Sequence, residues 1–472
     1  MQVARKVIFY IFILTFLVLC PLIILYSLGY IFQPKKKEIS QTGLIYLASI
    51  PSDANVYLGR SHYKQHTPTS ITGLIPGQYQ VSVRLRNYRS WERQVTIEPG
   101  KALAFKHILL LPKTFKKINL SPGNIYTDLR PIAGTNYFIL QKGPRLKDFY
   151  VYNWKENTLR PIAQEETIEK AFTVNSVFVG NKSNTVIIYG GSLWNKKYFL
   201  ADLDKKDFQL MSITDLFFEH PDSIIWSRDN LENVFAVYDN TVSRMDFRNA
   251  SIYPKYFEKI KGFGFSEKHL YILDKDNVIS EYTLDKKRKI LVFKDRNLIE
   301  NLFKKSRFYT IKALKHDVLL FWGNRGDLVV TMPPYRICDE KVVGVNYNKS
   351  NNKLLYWTKN AIWIADFNVE SDGGSLFKER VQLTEVYNEG VNICQCFWVY
   401  GGAYALFRDK NNVYLLELAP EAGYHKENIV KVKEKAAVFY SEKTGFLYYI
   451  DPKGNLVKIE ILPKEKFSLI QP

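Results

Sequence analysis

Few residues in this chain are spaced to do chemistry. His62 and His66 stand four positions apart, which on a helix would put two imidazoles on one face as metal ligands. The turn and strand signals around them place both in a loop between strands, with no acidic neighbour. Cys394 and Cys396 alternate on one face of a predicted strand, Cys338 stands alone, and Cys20 lies in an apolar run. A zinc site needs a second ligand pair at suitable spacing, so the cysteines read as small strand residues. Asp274-Lys275-Asp276-Asn277 and Asp451-Pro452-Lys453-Gly454-Asn455 carry oxygen donors, but Val278 and Val457 interrupt the series a calcium loop requires. They read as hairpin turns, as does the adhesion-type tripeptide Arg325-Gly326-Asp327. No Gly-x-Ser-x-Gly elbow, phosphate loop or repeated aspartate box is present. The sequence therefore assigns no catalytic residue, no metal ligand and no cofactor site, and the chain reads as a non-enzyme. A glycosidase pair drawn from separate strands would leave no local spacing, so hydrolysis or lysis of a polysaccharide stays open as an alternative.

What would position any site begins with a membrane span. From Val7 to Phe32 the chain runs 26 residues without a charge, and a helix of that length covers about 39 Å, more than the roughly 30 Å hydrocarbon core. Pro21 removes one helical hydrogen bond and is expected to kink it. Leu17-Val18-Leu19-Cys20 is a poor lipoprotein box because Leu19 stands where a small residue is needed. Ser27-Leu28-Gly29 is a possible cleavage site after an apolar run longer than an ordinary signal core. The expectation is an uncleaved single-pass anchor. Arg5 and Lys6 on one flank oppose Lys35, Lys36 and Lys37 on the other, so the positive-inside rule alone does not orient it.

The chain has 472 residues, a net charge of +19, and 15% aromatic residues with 31 Tyr and 30 Phe. The aromatic excess favours strands and the composition is that of a folded body. A strong positive charge raises nucleic acid as a partner. The lysines, however, are scattered through predicted turns, as at Asn181-Lys182, Lys196-Lys197 and Lys205-Lys206, which argues against it and for a solvated basic rim.

After a polar stretch at Gln33 to Thr42, alternating strands begin. Leu44, Tyr46 and Ala48 share a face. Ser52-Asp53 turns the chain, and Pro76-Gly77 opens a strand in which Tyr79, Val81, Val83 and Leu85 alternate with polar residues. From Gly43 to Pro112 these residues resemble the PEGA domain of bacterial and archaeal surface proteins. The family pattern Ser-x-Pro-x-Gly-Ala-x-Val-Tyr is matched by Ser49, Pro51, Ala54, Val56 and Tyr57. Thr67-Pro68 and Pro76-Gly77 before Tyr79, Val81 and Val83 match the rest. Asp53 and Asn87 stand where the family has glycine, and both types tolerate positive φ. The resemblance implies a small immunoglobulin-like or prealbumin-like β-sandwich acting as an extracellular spacer or adhesion module. It thereby tips the body outward. The arrangement also resembles membrane-anchored proteins of small uncultured bacteria.

From Asn124 onward a strand-turn-strand theme recurs eight times, with central strands near Tyr137, Val186, Phe235, Tyr271, Leu319, Leu355, Tyr404 and Tyr448, a period of about 44 residues. That is the period of a four-stranded propeller blade. Seven or eight blades are both compatible, because the closing strands can come from either end. Tyr356-Trp357-Thr358 lacks the Asp that a propeller signature would place at Lys359, and Trp322 and Trp357 read as packing residues of predicted inner strands.

The expected organisation is mainly β: an anchor with a short basic flank (1–33), a linker (34–42), the PEGA sandwich (43–112), a linker (113–123) and a propeller-like body (124–472). The expected function is a membrane-anchored surface binding or scaffold protein, single-pass, with most of the chain extracytoplasmic. Its expected partner is a cell-envelope protein or acidic glycan. A propeller hydrolase or lyase and a cytoplasmic membrane-tethered scaffold are the alternatives.

Overall fold

The computed structural model describes residues 2–33, 38–132, 134–163, 172–180, 184–191, 195–205, 210–226, 234–266, 269–283, 288–291, 301–315, 318–368, 381–419 and 423–463. Lys35, Lys36, Lys37, Lys182 and Lys206 lie outside these residues.

Helix α1 spans Gln2–Ser27 and carries Pro21 inside it. Its apolar part, Ile8–Ser27, is 20 residues long, with none of its most apolar stretch buried by the rest of the described residues, and at about 1.5 Å per residue it covers about 30 Å, the thickness of the hydrocarbon core. The apolar run was expected to continue as helix to Phe32, but it stops earlier. Gly29, at φ +80°, donates to Tyr26 O at 3.0 Å and turns the chain out of the helix, a conformation that glycine adopts without steric cost. Strand β1 (Tyr30–Gln33) then pairs antiparallel with β2 (Glu38–Gln41). Part of the stretch read as a loop linker is therefore a strand.

The sandwich follows. Strands β3 (Gly43–Ile50), β6 (Thr69–Leu74) and β9 (Ala102–Leu109) form one sheet. Strands β4 (Asn55–Leu58), β5 (Ser61–His66), β7 (Gly77–Arg84) and β8 (Trp91–Ile97) form the other. The core is Ile45, Leu47, Val56, Val81, Val83, Trp91, Val95 and Phe105 with their neighbours. Ile45 and Leu47 are buried on one face of β3, leaving Leu44, Tyr46 and Ala48 half-buried on the other. Tyr79 packs at the rim of the core and its hydroxyl donates to Ile75 O at 2.9 Å. The buried Ser49 and Thr67 hydroxyls lie 2.7 Å apart, and Thr67 Oγ1 also accepts from Ala54 N at 3.0 Å, so the polar letters of the motif satisfy buried backbone. Asp53 and Asn87 hold φ of 63° and 69°.

Beyond the sandwich lie six separate four-stranded sheets and one eight-stranded sheet, which is two such sheets joined edge to edge, giving eight four-stranded units. In chain order they cover 128–161, 174–212, 223–257, 260–291, 309–338, 344–387, 393–431 and 439–460. All eight positions named from the sequence repeat fall in the second strand of successive units. These strands are covered on both faces by neighbouring units, so they read as continuous apolar runs. Tyr404–Asp409 is buried at every position.

The last unit takes its fourth strand, β10 (Ile118–Asn119), from before the first, with Asn119 opposite Val457. Those two residues lie in the stretch read as the second linker. They are too short and polar to carry a strand pattern of their own.

Apolar clusters bridge each unit to the next, from the first pair through to the seventh and eighth. A further cluster joins Phe138, Leu140 and Tyr152 of the first unit to Tyr448, Ile450 and Leu456 of the eighth. At that seam Phe138 meets Tyr448 edge-on at 5.0 Å and Phe439 at 5.2 Å. The first strands of neighbouring units are linked: Gly262 and Phe263 pair in parallel with Tyr309 and Thr310, and Gln395 Nε2 donates to Val438 O at 3.2 Å. A Cβ on Gly264 would come within 2.0 Å of Ile311 O, so only glycine permits this approach of inner strands.

Candidate functional site

Two features stand out among the described residues: a polar junction between sandwich and ring, and a basic groove beside it. The junction forms where β3 and β9 end and β8 begins. Leu109 and Leu111 join the apolar cluster shared by the seventh and eighth units, with Ile50 against it. Within this apolar contact sits Glu417, at the end of the strand Asn412–Glu417. Trp91 Nε1 donates to Glu417 Oε1 at 3.0 Å, and the Arg93 guanidinium pairs with the same carboxylate. The Arg93 and Glu417 side chains are only 10% and 7% exposed. A carboxylate buried this far needs both partners to offset its lost hydration. Tyr404 completes the contact: its hydroxyl accepts from Leu109 N at 2.9 Å and donates to His107 O at 3.0 Å. Burial pushes its phenol above the usual tyrosine range, keeping it a donor.

The groove, of about 670 Å³, runs from Arg89 along Lys113, Phe115 and Lys117 to the outer strand His425–Lys431. Arg89 is neutralised, donating to Glu427 Oε2 at 2.8 Å and to Asn428 O at 3.0 Å. Lys113, Lys117 and Lys431 are exposed, and none of them pairs with a carboxylate among the described residues. Three unpaired cations beside an edge strand attract anionic groups and leave backbone donors and acceptors available.

His62 and His66 do not converge. They lie on the edge strand β5, not in a loop, and His66 has an acidic neighbour after all, with Nδ1 3.1 Å from Asp53 Oδ1. His62 Nε2 lies 3.3 Å from Asn55 Oδ1. Antiparallel pairing of β5 with β4 brings these partners across, which local spacing does not reveal.

A bulge at Ile393–Gln395 breaks the expected alternation of the cysteines. Cys396 enters the apolar cluster with Ile393 and Trp398, while Cys394 is half-buried with Sγ 3.6 Å from Arg408 O. Trp357 packs between the sixth and seventh units, and Trp322 lies at the edge of the cluster between the fifth and sixth. Both stand on second strands.

The turn aspartates accept hydrogen bonds from turn backbone. Asp274 Oδ1 accepts from Val278 N at 2.8 Å, and Asp451 Oδ1 accepts from Asn455 N at 2.8 Å. Asp327 of the tripeptide is 0% exposed and accepts from the Ser306 and Tyr309 hydroxyls, so it is not displayed for adhesion. Among the described residues no three His, Cys, Asp or Glu side chains gather as a metal site would require.

Residues 42–110 match the PEGA domain family, so the sandwich described above is a PEGA domain. No curated protein matches the chain. Two solved structures are similar to the chain at low identity. One is the Cps50 (Swd1) β-propeller domain of Myceliophteria thermophila, with 11% identity, a TM-score of 0.38, and coverage of 74% of this chain and 99% of that one. Another is a chain of a mitotic checkpoint complex, with 12% identity, a TM-score of 0.39, and coverage of 74% and 94%.

Proposed function

We propose that this protein is a membrane-anchored, non-enzymatic binding scaffold. A single-pass helix carries a PEGA spacer, and the spacer holds an eight-bladed β-propeller, closed by β10, at a fixed attitude to the membrane. Its basic groove receives an acidic partner of the cell envelope, protein or glycan, on the extracytoplasmic side.

The locked junction is the observation that carries this reading. At one end of the sandwich, Thr42 N donates to Gly29 O at 2.8 Å and Gly100 N to Thr42 O at 3.2 Å, tying it to the turn that leaves the helix. At the other end, Trp91 and Arg93 are buried against Glu417 of the ring. Between them the eight residues of β3 span roughly 25 Å. A hinged spacer would not bury an ion pair at its far end, whereas a rigid arm benefits from one. Lys113, Lys117 and Lys431 give the rigid body a face suited to anions.

Protease treatment of intact cells tests orientation: an outward body is digested, and a protected one would indicate the cytoplasmic scaffold. Capture of envelope material at low and high ionic strength tests the electrostatic part, since exposed charges are screened by salt. Turnover of a glycan that is lost on replacing a facing carboxylate pair would overturn the non-enzymatic reading.

A further inference from the structure

The short hairpin that leaves the helix carries an uncovered apolar pair. Phe32 stands opposite Ile39 in the β1–β2 ladder, so the two side chains share one face of the hairpin. They are 61% and 62% exposed, and neither joins the core of the sandwich. Tyr26 and Leu28, just before them, are exposed as well.

The bonding of Thr42 gives this hairpin its direction. Thr42 N donates to Gly29 O at 2.8 Å, one step beyond the Tyr30–Gln41 pair and so in the hairpin ladder. The Thr42 carbonyl accepts from Gly100 N at 3.2 Å, just before β9, and so belongs to the sandwich. The chain therefore runs from β2 into β3 without a reversal, and the turn end of the hairpin points away from the sandwich. Its open end is fixed to the end of the helix: Gln41 Nε2 donates to Leu28 O at 3.3 Å, and Thr42 Oγ1 donates to Gly29 O at 2.8 Å.

That open end lies at the edge of the hydrocarbon core. The apolar part of α1 ends at Ser27, and a headgroup layer of roughly 5–7 Å begins there. From Tyr30 to Phe32 is two strand steps, roughly 7 Å, so a strand directed back from the sandwich keeps Phe32 and its partner Ile39 within reach of that layer. The exposed pair is thus continuous with the apolar surface of α1, and interfacial apolar side chains next to a span settle at headgroup depth.

We propose that Phe32 and Ile39 form an interfacial contact with the bilayer that α1 spans, so that helix and hairpin together set the tilt of the arm. The proposal rests on the reading of α1 as a membrane span. All eight tryptophans lie at position 91 or beyond, so wild-type emission sets the baseline for a tryptophan placed in the hairpin. The test is the full chain reconstituted in phosphatidylcholine liposomes whose acyl chains carry bromine either near the headgroup or at mid-chain. In Ile39→Trp and, independently, Phe32→Trp, both at exposed positions, bromine near the headgroup should lower the added emission at least about twofold and more than mid-chain bromine does. Leu17→Trp, at the middle of the span, should show the reverse preference. Quenching of Leu17→Trp with neither hairpin variant quenched would overturn the hairpin contact and leave the span standing. Absence of quenching in all three would overturn the span and the contact together. Hairpin emission that is blue-shifted yet unquenched would show that protein, not lipid, covers the pair, and would also overturn the proposal.

Discussion

Trp91 of the sandwich and Glu417 of the ring are joined by a hydrogen bond of 3.0 Å across 326 positions of chain. Because Arg93 pairs with the same buried carboxylate, the two domains share a charge that neither could bury alone. The sandwich is thus coupled to the ring through a buried polar contact, and this coupling has measurable consequences.

Arg93→Ala should destabilise the junction by about 3–5 kcal/mol, because Glu417 then stays buried without its cation. Calorimetry of the full chain should show one transition in wild type and two in the variant, as sandwich and ring unfold separately. Replacing both partners, as in Arg93→Met with Glu417→Leu, should recover much of the loss. One unsplit transition in Arg93→Ala would show that the apolar contact alone couples the domains.

Val83→Asp should unfold the sandwich. Val83 is 0% exposed, and an unpaired carboxylate placed there costs several kcal/mol against a stability of about 5–15 kcal/mol. Circular dichroism should record the loss of a corresponding part of the strand signal, and an unchanged melting curve would contradict the core assignment.

Asp327→Ala should cost about 2–4 kcal/mol by leaving the buried Ser306 and Tyr309 hydroxyls without an acceptor. The denaturation midpoint is the readout. A midpoint equal to wild type would mean that the carboxylate is not the acceptor.

A chain beginning at Gln41 should remain in the supernatant, because the long apolar helix ends at Ser27. The full chain should require detergent for extraction. Pelleting of the shortened chain with membranes under dispersing conditions would point to a second attachment.

The sequence carried the repeat well. A strand covered on both faces is apolar at nearly every position, so eight such runs mark eight second strands, as Val234–Tyr238 illustrates. The Asp53 and Asn87 positions were also legible, since both types tolerate the positive φ their turns hold, whereas Ser49 and Thr67 were read only through the family pattern.

What stayed hidden depends on distant contacts. Ile118 and Asn119 form a strand only because Val457 and Lys458 offer an open edge. Glu417 looks like one more charged strand end until Arg93 is brought against it. The helix end at Ser27 was missed because Leu28 to Phe32 are apolar enough to continue a span, and hydrophobicity does not register the turn at Gly29.

The central claim is that the groove beside the junction holds an acidic partner by charge. Its most direct test is titration of the full chain with polygalacturonate, a defined acidic glycan, for wild type and for Lys113→Glu/Lys117→Glu/Lys431→Glu, at low and high ionic strength. Because these lysines are exposed, the variant should fold normally. Saturable binding by wild type that weakens with salt and is lost in the variant is the predicted result. Binding that the variant retains, or that salt leaves unchanged, would contradict it.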